Sequence, residues 1–242
     1  MNKIFKYELY RTIVNKFYFG ILITSILYSW QILTTKTIQG ISNTAPFSSW
    51  SFGDYISQIS LLLCIALVFF INNLFSNKAT KVKILTSTTS INQRKYLLIK
   101  CLAITIAWLL VILIVTFIGI AFLMYWFSND INIIELIFPT LCIVIPTFIF
   151  TMGLSLLLGQ IYRILVYFAI PMLLLLTVSP LFETAQLFCN TYFTQYPLSN
   201  DTLDPVFTLT TPILTSRVTY LIIGILFIIL GVYLENKRKI NK

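Results

Sequence analysis

Six apolar stretches dominate this chain, and they limit what it can become. They run over Phe17–Leu33, Ile56–Phe75, Leu97–Phe127, Ile133–Leu158, Ile164–Phe182 and Val218–Leu234. A hydrocarbon core about 30 Å thick takes roughly 20 residues of α-helix to cross. Within lipid the backbone has no water to bond, so each crossing must satisfy its own N–H and C=O groups. The expected fold class is therefore all-α: a polytopic membrane protein with six transmembrane helices, organised as a single domain over residues 1–242. The third and fourth stretches are long enough to tilt or protrude, and the first and fifth are the least pronounced. Composition agrees, with 58% hydrophobic and only 10% charged residues and a mean hydropathy of +0.89. The 15% aromatic share suits Tyr and Trp gathered where headgroups meet hydrocarbon.

Charge placement sets an expected orientation. Fourteen of the seventeen Lys and Arg residues fall in the N-terminal tail, the Ser76–Tyr96 connection, the Gly159–Arg163 connection and the C-terminal tail, and a fifteenth, Lys100, follows closely on the second of these. Lys36 and Arg217 are left for the other side, which carries six of the eight acids: Asp54, Asp130, Glu135, Glu183, Asp201 and Asp204. Basic segments stay in the cytoplasm, so both termini are expected there. The net charge of +9 is spread over these short segments. No separate basic module remains to bind nucleic acid, which needs clustered phosphate-neutralising charge. The basic flank of the first span resembles a signal sequence, but no small-x-small site follows convincingly. Pro46 would also block cleavage after Ala45, so a retained anchor is expected.

Three segments between or before the spans invite a functional reading. Residues 1–16 read as an amphipathic interfacial helix, with Phe5, Leu9 and Ile13 on one face and Lys3, Lys6 and Arg11 on others. The bland alternative is an orientation signal alone. Glu8 on this helix calls for a cationic neighbour if it lies beside anionic lipid. The loop 76–96 holds Lys78, Lys81, Val82, Lys83, Ile84 and Leu85, enough for about two helical turns. The hydroxyl run Thr86–Ser90 then breaks it, and a capping box over Ser90–Gln93 starts the third span early. Such a surface helix suits a cytoplasmic partner, and equally a basic loop resting on lipid. The segment 183–216 is too apolar for a free loop. Phe188, Tyr192 and Tyr196 recur at roughly helical spacing, followed by the turn Pro197–Asp201. It reads either as a helical hairpin re-entering the outer leaflet or as a folded outer cap.

Catalytic signals are sparse. The chain has no histidine, no G-x-x-x-x-G-K-[ST] run and no adjacent acid pair, so the commonest general base and a nucleotide-cradling loop are both missing. Cys64, Cys101, Cys142 and Cys189 are scattered, without C-x-x-C, and read as small core residues rather than metal ligands. Glu135, Arg163 and Glu183 lie near helix ends. Ion-coupled carriers keep charges near the midplane, so self-powered transport is not expected. Pro139, Pro146 and Pro171 are read as structural kinks.

The interfacial N-terminal helix, the basic surface helix between spans two and three and the apolar segment before span six together resemble the permease subunits of ABC-2-type ABC transporters, over essentially the whole chain. The resemblance implies an elbow helix at Phe5–Arg11, with Phe5, Glu8, Leu9 and Arg11 as its marked residues. It implies an ATPase-coupling helix at about Asn77–Leu85, and a span-three start at Ser90–Tyr96. The extracytoplasmic re-entrant hairpin would be Glu183–Ser216, with Phe188, Tyr192 and Tyr196 as an outer gate. An acid often precedes the coupling helix in that family; here Asn73 and Asn77 stand instead. The short length looks like the small subunits of lantibiotic or bacteriocin self-protection and peptide export in a bacterial cell membrane. The expected partners are an ABC ATPase dimer that holds ATP and Mg2+, a second permease copy, membrane lipid and a peptide substrate. The chain itself is expected to hold no cofactor or metal and to catalyse no reaction. A membrane immunity protein that sequesters a peptide toxin without transport is the alternative.

Overall fold

The computed structural model describes residues 2–41, 43–76, 93–127, 131–178, 186–199 and 202–240. Among these the chain is helical, with no strand. The α-helices are α1 (Asn2–Ile13), α2 (Lys16–Thr35), α3 (Ser49–Leu74), α4 (Gln93–Phe127), α5 (Ile133–Ile161), α6 (Ala169–Val178), α7 (Asn190–Gln195) and α8 (Thr211–Ile240). Short 3-10 turns cover Thr37–Gln39, Arg163–Phe168 and Pro197–Ser199. Five helices, α2, α3, α4, α5 and α8, are long and apolar enough to cross a membrane.

The expected fifth span behaves differently. Over its described part it is a six-residue 3-10 turn followed by the ten-residue α6. Pro171 accounts for the break: it has no N–H to give an α-helical bond backward, so it is tolerated only in the first turn of α6. Residues 179–185 lie outside the described ones.

Helix α3 is the hub. Its most apolar window is 72% buried, against 17% for α8. α2, α4, α5, α6 and α7 all pack on it, whereas α8 rests mainly on α5. Polar side-chain tips stitch the hub to its neighbours. Ser29 Oγ lies 2.5 Å from the Tyr55 hydroxyl, which donates to the Val115 carbonyl (2.9 Å). Trp108 Nε1 donates to the Leu63 carbonyl (2.9 Å), and the Tyr18 hydroxyl to that of Ala107 (3.1 Å). In hydrocarbon these groups would otherwise go unbonded, so each such bond also selects a partner helix.

Two further devices shape the bundle. Pro139, inside α5, cannot donate to the Glu135 carbonyl. The Ser49 hydroxyl, one helix away on α3, donates to it instead at 3.1 Å. Where α5 crosses α8 the backbones touch: a Cβ on Gly153 would lie 2.3 Å from the Gly224 carbonyl oxygen. Glycine at both positions is what permits that approach.

The bundle has two distinct ends. At one, α1 lies against the start of α4, and the Phe17 ring meets Phe69 and Phe70 near the end of α3. At the other, the end of α2, the start of α3, α7 and the start of α8 converge. We refer to these as the α1 end and the far end.

Candidate functional site

At the α1 end, the expected elbow residues form an anchored unit. Glu8 is buried although α1 is surface-lying. Its carboxylate pairs with Arg11 at 2.8 Å, one helical turn on, and accepts from the Tyr96 hydroxyl of α4 at 3.0 Å. Arg11 is therefore the cationic neighbour the sequence called for. Lys100 Nζ sits 4.3 Å from the centroid of the Tyr96 ring, so a cation also faces that ring. Phe5 and Leu9 are half-buried, while Tyr7 and Tyr10 are exposed. The six residues assigned to the coupling helix, Lys78, Lys81, Val82, Lys83, Ile84 and Leu85, lie outside the described residues.

At the far end an aromatic cap closes the bundle. Trp50 is fully buried, and its Nε1 donates to the Pro205 carbonyl at 2.7 Å. Its ring stacks on Tyr196 (5.3 Å between centroids) and meets Phe207 edge-on (4.9 Å). The Phe193 ring lies against the backbone of Gly53, where a Cβ would sit 2.1 Å from it. Of the three residues assigned to an outer gate, Tyr192 and Tyr196 belong to this cap. Phe188 instead packs with Cys64, Val68 and Phe150 in a second cluster, so spacing alone grouped side chains that point into different cores. The Tyr192 hydroxyl donates to the Thr208 carbonyl and accepts from the Thr210 N–H at 3.3 Å. Burial pushes the Tyr192 phenol and the Cys189 thiol up from their ordinary values, so both stay neutral at physiological pH.

The segment expected as a helical hairpin over Glu183–Ser216 has one helical arm among the described residues, α7 with the 3-10 turn after it. Residues 205–210 are non-helical and are held by Trp50 and Tyr192. The Arg217 guanidinium, buried at the start of α8, donates to the Gln186 and Leu187 carbonyls and ties α8 to the same segment.

Beside the cap is a cavity of about 470 Å3 lined by Thr35, Lys36, Asp54, Gln58, Asn190, Thr191 and Thr194, among others. Asp54 is only 3% exposed. Gln58 Nε2 donates to one of its carboxylate oxygens, and Lys36 Nζ donates to Gln58 Oε1 at 2.9 Å. The sequence placed Asp54 only among the acids of one face of the membrane. Asp54 and Gln58 sit one turn apart at the start of α3, a signal for one shared face. Nothing in the sequence linked that face to α7, some 130 residues later.

The four cysteines are unbridged; Cys64, Cys101 and Cys189 are buried and Cys142 is half-buried. Among the described residues no group of His, Cys, Asp and Glu could hold a metal ion. Comparison with family models, curated proteins and solved structures finds no match to this chain.

Proposed function

We propose that the chain is the membrane-spanning permease subunit of an ABC exporter for hydrophobic or amphipathic peptides, in peptide export or self-immunity. ATP hydrolysis would take place on a separate ATPase dimer. The observation that carries the reading is the anchored α1. A helix docked by a buried Glu8 onto Tyr96 fixes the interfacial segment to the first turn of α4, where the basic 76–96 linker ends. Movement of that linker would be delivered to α4 and, through Tyr55 and Trp108, to the hub helix α3.

Six crossings fit this reading. The 3-10 turn and α6 together rise about 27 Å, close to a hydrocarbon thickness. They run from Arg163 to Val178; within them the Tyr167 hydroxyl accepts from Asn72 at 2.7 Å and the Leu176 carbonyl accepts from the Leu187 N–H. With six crossings both termini share one side, and the Lys and Arg distribution makes that side cytoplasmic. A second permease copy would supply the other half of a pathway, with ATP-driven closure rocking the two halves.

The test is co-purification in mild detergent. An affinity-tagged chain should bring down a P-loop ATPase, and Ile84→Asp or Leu85→Asp should abolish that association with insertion intact. Association unchanged in both variants refutes the assigned lever. The far-end cavity favours a second reading, a membrane immunity protein that sequesters a peptide toxin. Protection that persists with a catalytically dead ATPase would select it.

A further inference from the structure

The segment 205–210, between the aromatic cap and α8, is extended rather than helical, and its exposure alternates. Pro205, Phe207 and Leu209 are half-buried, while Val206 and Thr208 between them are exposed. A period of two is that of a β-strand. Its pairing is one-sided. In an extended chain alternate residues turn their N–H and C=O groups to the same edge. The Tyr192 hydroxyl bonds both the Thr208 carbonyl and the Thr210 N–H, much as a neighbouring strand would. Phe207 and Leu209 belong to the opposite edge, and among the described residues no hydrogen bond reaches the N–H or C=O of either. An unpaired edge of this kind is a template for another extended chain.

Alongside lies a cleft of about 340 Å3 whose lining includes Phe47, Phe138, Val206 and Phe207 together with Glu135 and Asp204. Val206 is 85% exposed, so an aliphatic side chain stands open at the cleft. No Lys or Arg lines it, and among the described residues no ion pair reaches Glu135 or Asp204. The Asn132 amide donates to Glu135 at 2.8 Å, a neutral donor that leaves the charge in place. We propose that this edge and cleft receive an extended peptide segment, apolar and basic, by strand addition. Its main chain pairs with Phe207 and Leu209, its apolar side chains enter the cleft, and a Lys or Arg meets Glu135 or Asp204. Strand addition draws affinity from main-chain bonds and selectivity from pockets for alternate side chains. The cleft is at the small end of the usual range for ligand sites, about 300–1,000 Å3, which suits side chains better than a whole compact ligand. The choice of a peptide rests on the proposed peptide export or immunity. Binding is read on the isolated full chain, so failed ATPase association leaves this inference standing, and failed binding leaves the coupling to an ATPase standing.

The full chain is placed in phosphatidylcholine nanodiscs, and a dye-labelled hexapeptide of alternating lysine and valine is titrated by fluorescence anisotropy against empty discs. Two N-methylated versions carry their methyl groups on the lysine amides or on the valine amides. Each blocks one edge of the extended peptide without changing its charge. Strand addition predicts that one version loses at least about tenfold in affinity, the scale of two main-chain hydrogen bonds, while the other stays within about twofold. The double variant Glu135→Gln, Asp204→Asn should weaken the unmethylated peptide about fivefold at low ionic strength, with the difference gone at about 1 M salt. The methylated peptides are read on the unaltered chain, so that arm does not depend on how the variant folds. No binding above empty discs, the same affinity for both methylated versions, or full affinity in a folded double variant each overturns the proposal. Equal binding of a peptide with glutamate in place of lysine would mark the cleft as a seat for any apolar chain, lipid included, and overturns it as well.

Discussion

Replacing Gly153 by alanine separates two physical accounts of this bundle, because they give opposite signs. Helix propensity alone favours alanine over glycine by up to about 1 kcal/mol in a helix interior. The structure says otherwise at this position. An added Cβ would lie 2.3 Å from the Gly224 carbonyl oxygen and 3.0 Å from Phe227 Cβ. Carbon and carbonyl oxygen approach to about 3.3 Å at the closest comfortable contact, so α8 must withdraw by about 1 Å. The obstruction is backbone, which cannot rotate aside as a side chain would. Overpacking of this kind costs about 1–3 kcal/mol, which leaves a net destabilisation of roughly 1 kcal/mol after the propensity gain. Gly20, on the exposed face of α2, has nothing within 4 Å of its added Cβ. Gly20→Ala should therefore be neutral or stabilising. Reversible unfolding of the full chain in mixed micelles, titrated with sodium dodecyl sulfate and followed by tryptophan fluorescence, gives both values. The gap between the two variants, about 2 kcal/mol, isolates the crossing. If Gly153→Ala is as stable as Gly20→Ala, α5 and α8 do not meet at these glycines and the packing account fails.

Two more outcomes follow from single hydrogen bonds. Ser49→Ala leaves the Glu135 carbonyl, already denied its helical donor by Pro139, without the 3.1 Å bond from α3. A loss of about 1–3 kcal/mol is expected in the same unfolding assay, and no loss would mean that the α3–α5 contact does not need it. Tyr96→Phe removes the donor to Glu8 while keeping the ring that faces Lys100. It should cost about 1 kcal/mol and raise thiol labelling of a cysteine placed at exposed Tyr10; labelling equal to that of wild type would show that α1 is held by something else.

Much of the fold was legible along the chain because hydrophobic length is a local property. The stretches Phe17–Leu33, Ile56–Phe75, Leu97–Phe127, Ile133–Leu158 and Val218–Leu234 all lie on the five long helices, give or take a turn at the ends. Glu8 asked for a cation, and Arg11 at i+3 supplies it. The helical spacing of Tyr192 and Tyr196 likewise matches α7 and the turn after it. The same spacing misled for Phe188, because α7 begins only at Asn190 and the preceding residues turn into another cluster. The split of the fifth stretch traces to one residue, Pro171, whose effect depends on whether it falls in a first turn or mid-helix.

Apolar length, basic flanks and the absence of histidine or a nucleotide loop are carried by residues near one another in the chain. The sequence by itself therefore determined a bundle of long apolar helices suited to a membrane. Which helices meet, and what they enclose, depends on pairs far apart in the chain: Gly153 with Gly224, Ser49 with Glu135, Trp50 with Pro205, Ser57 with Asn190. Only the tertiary structure brings α2, α3 and α7 around Asp54, since long-range packing rather than local pattern decides which polar groups are withdrawn from water.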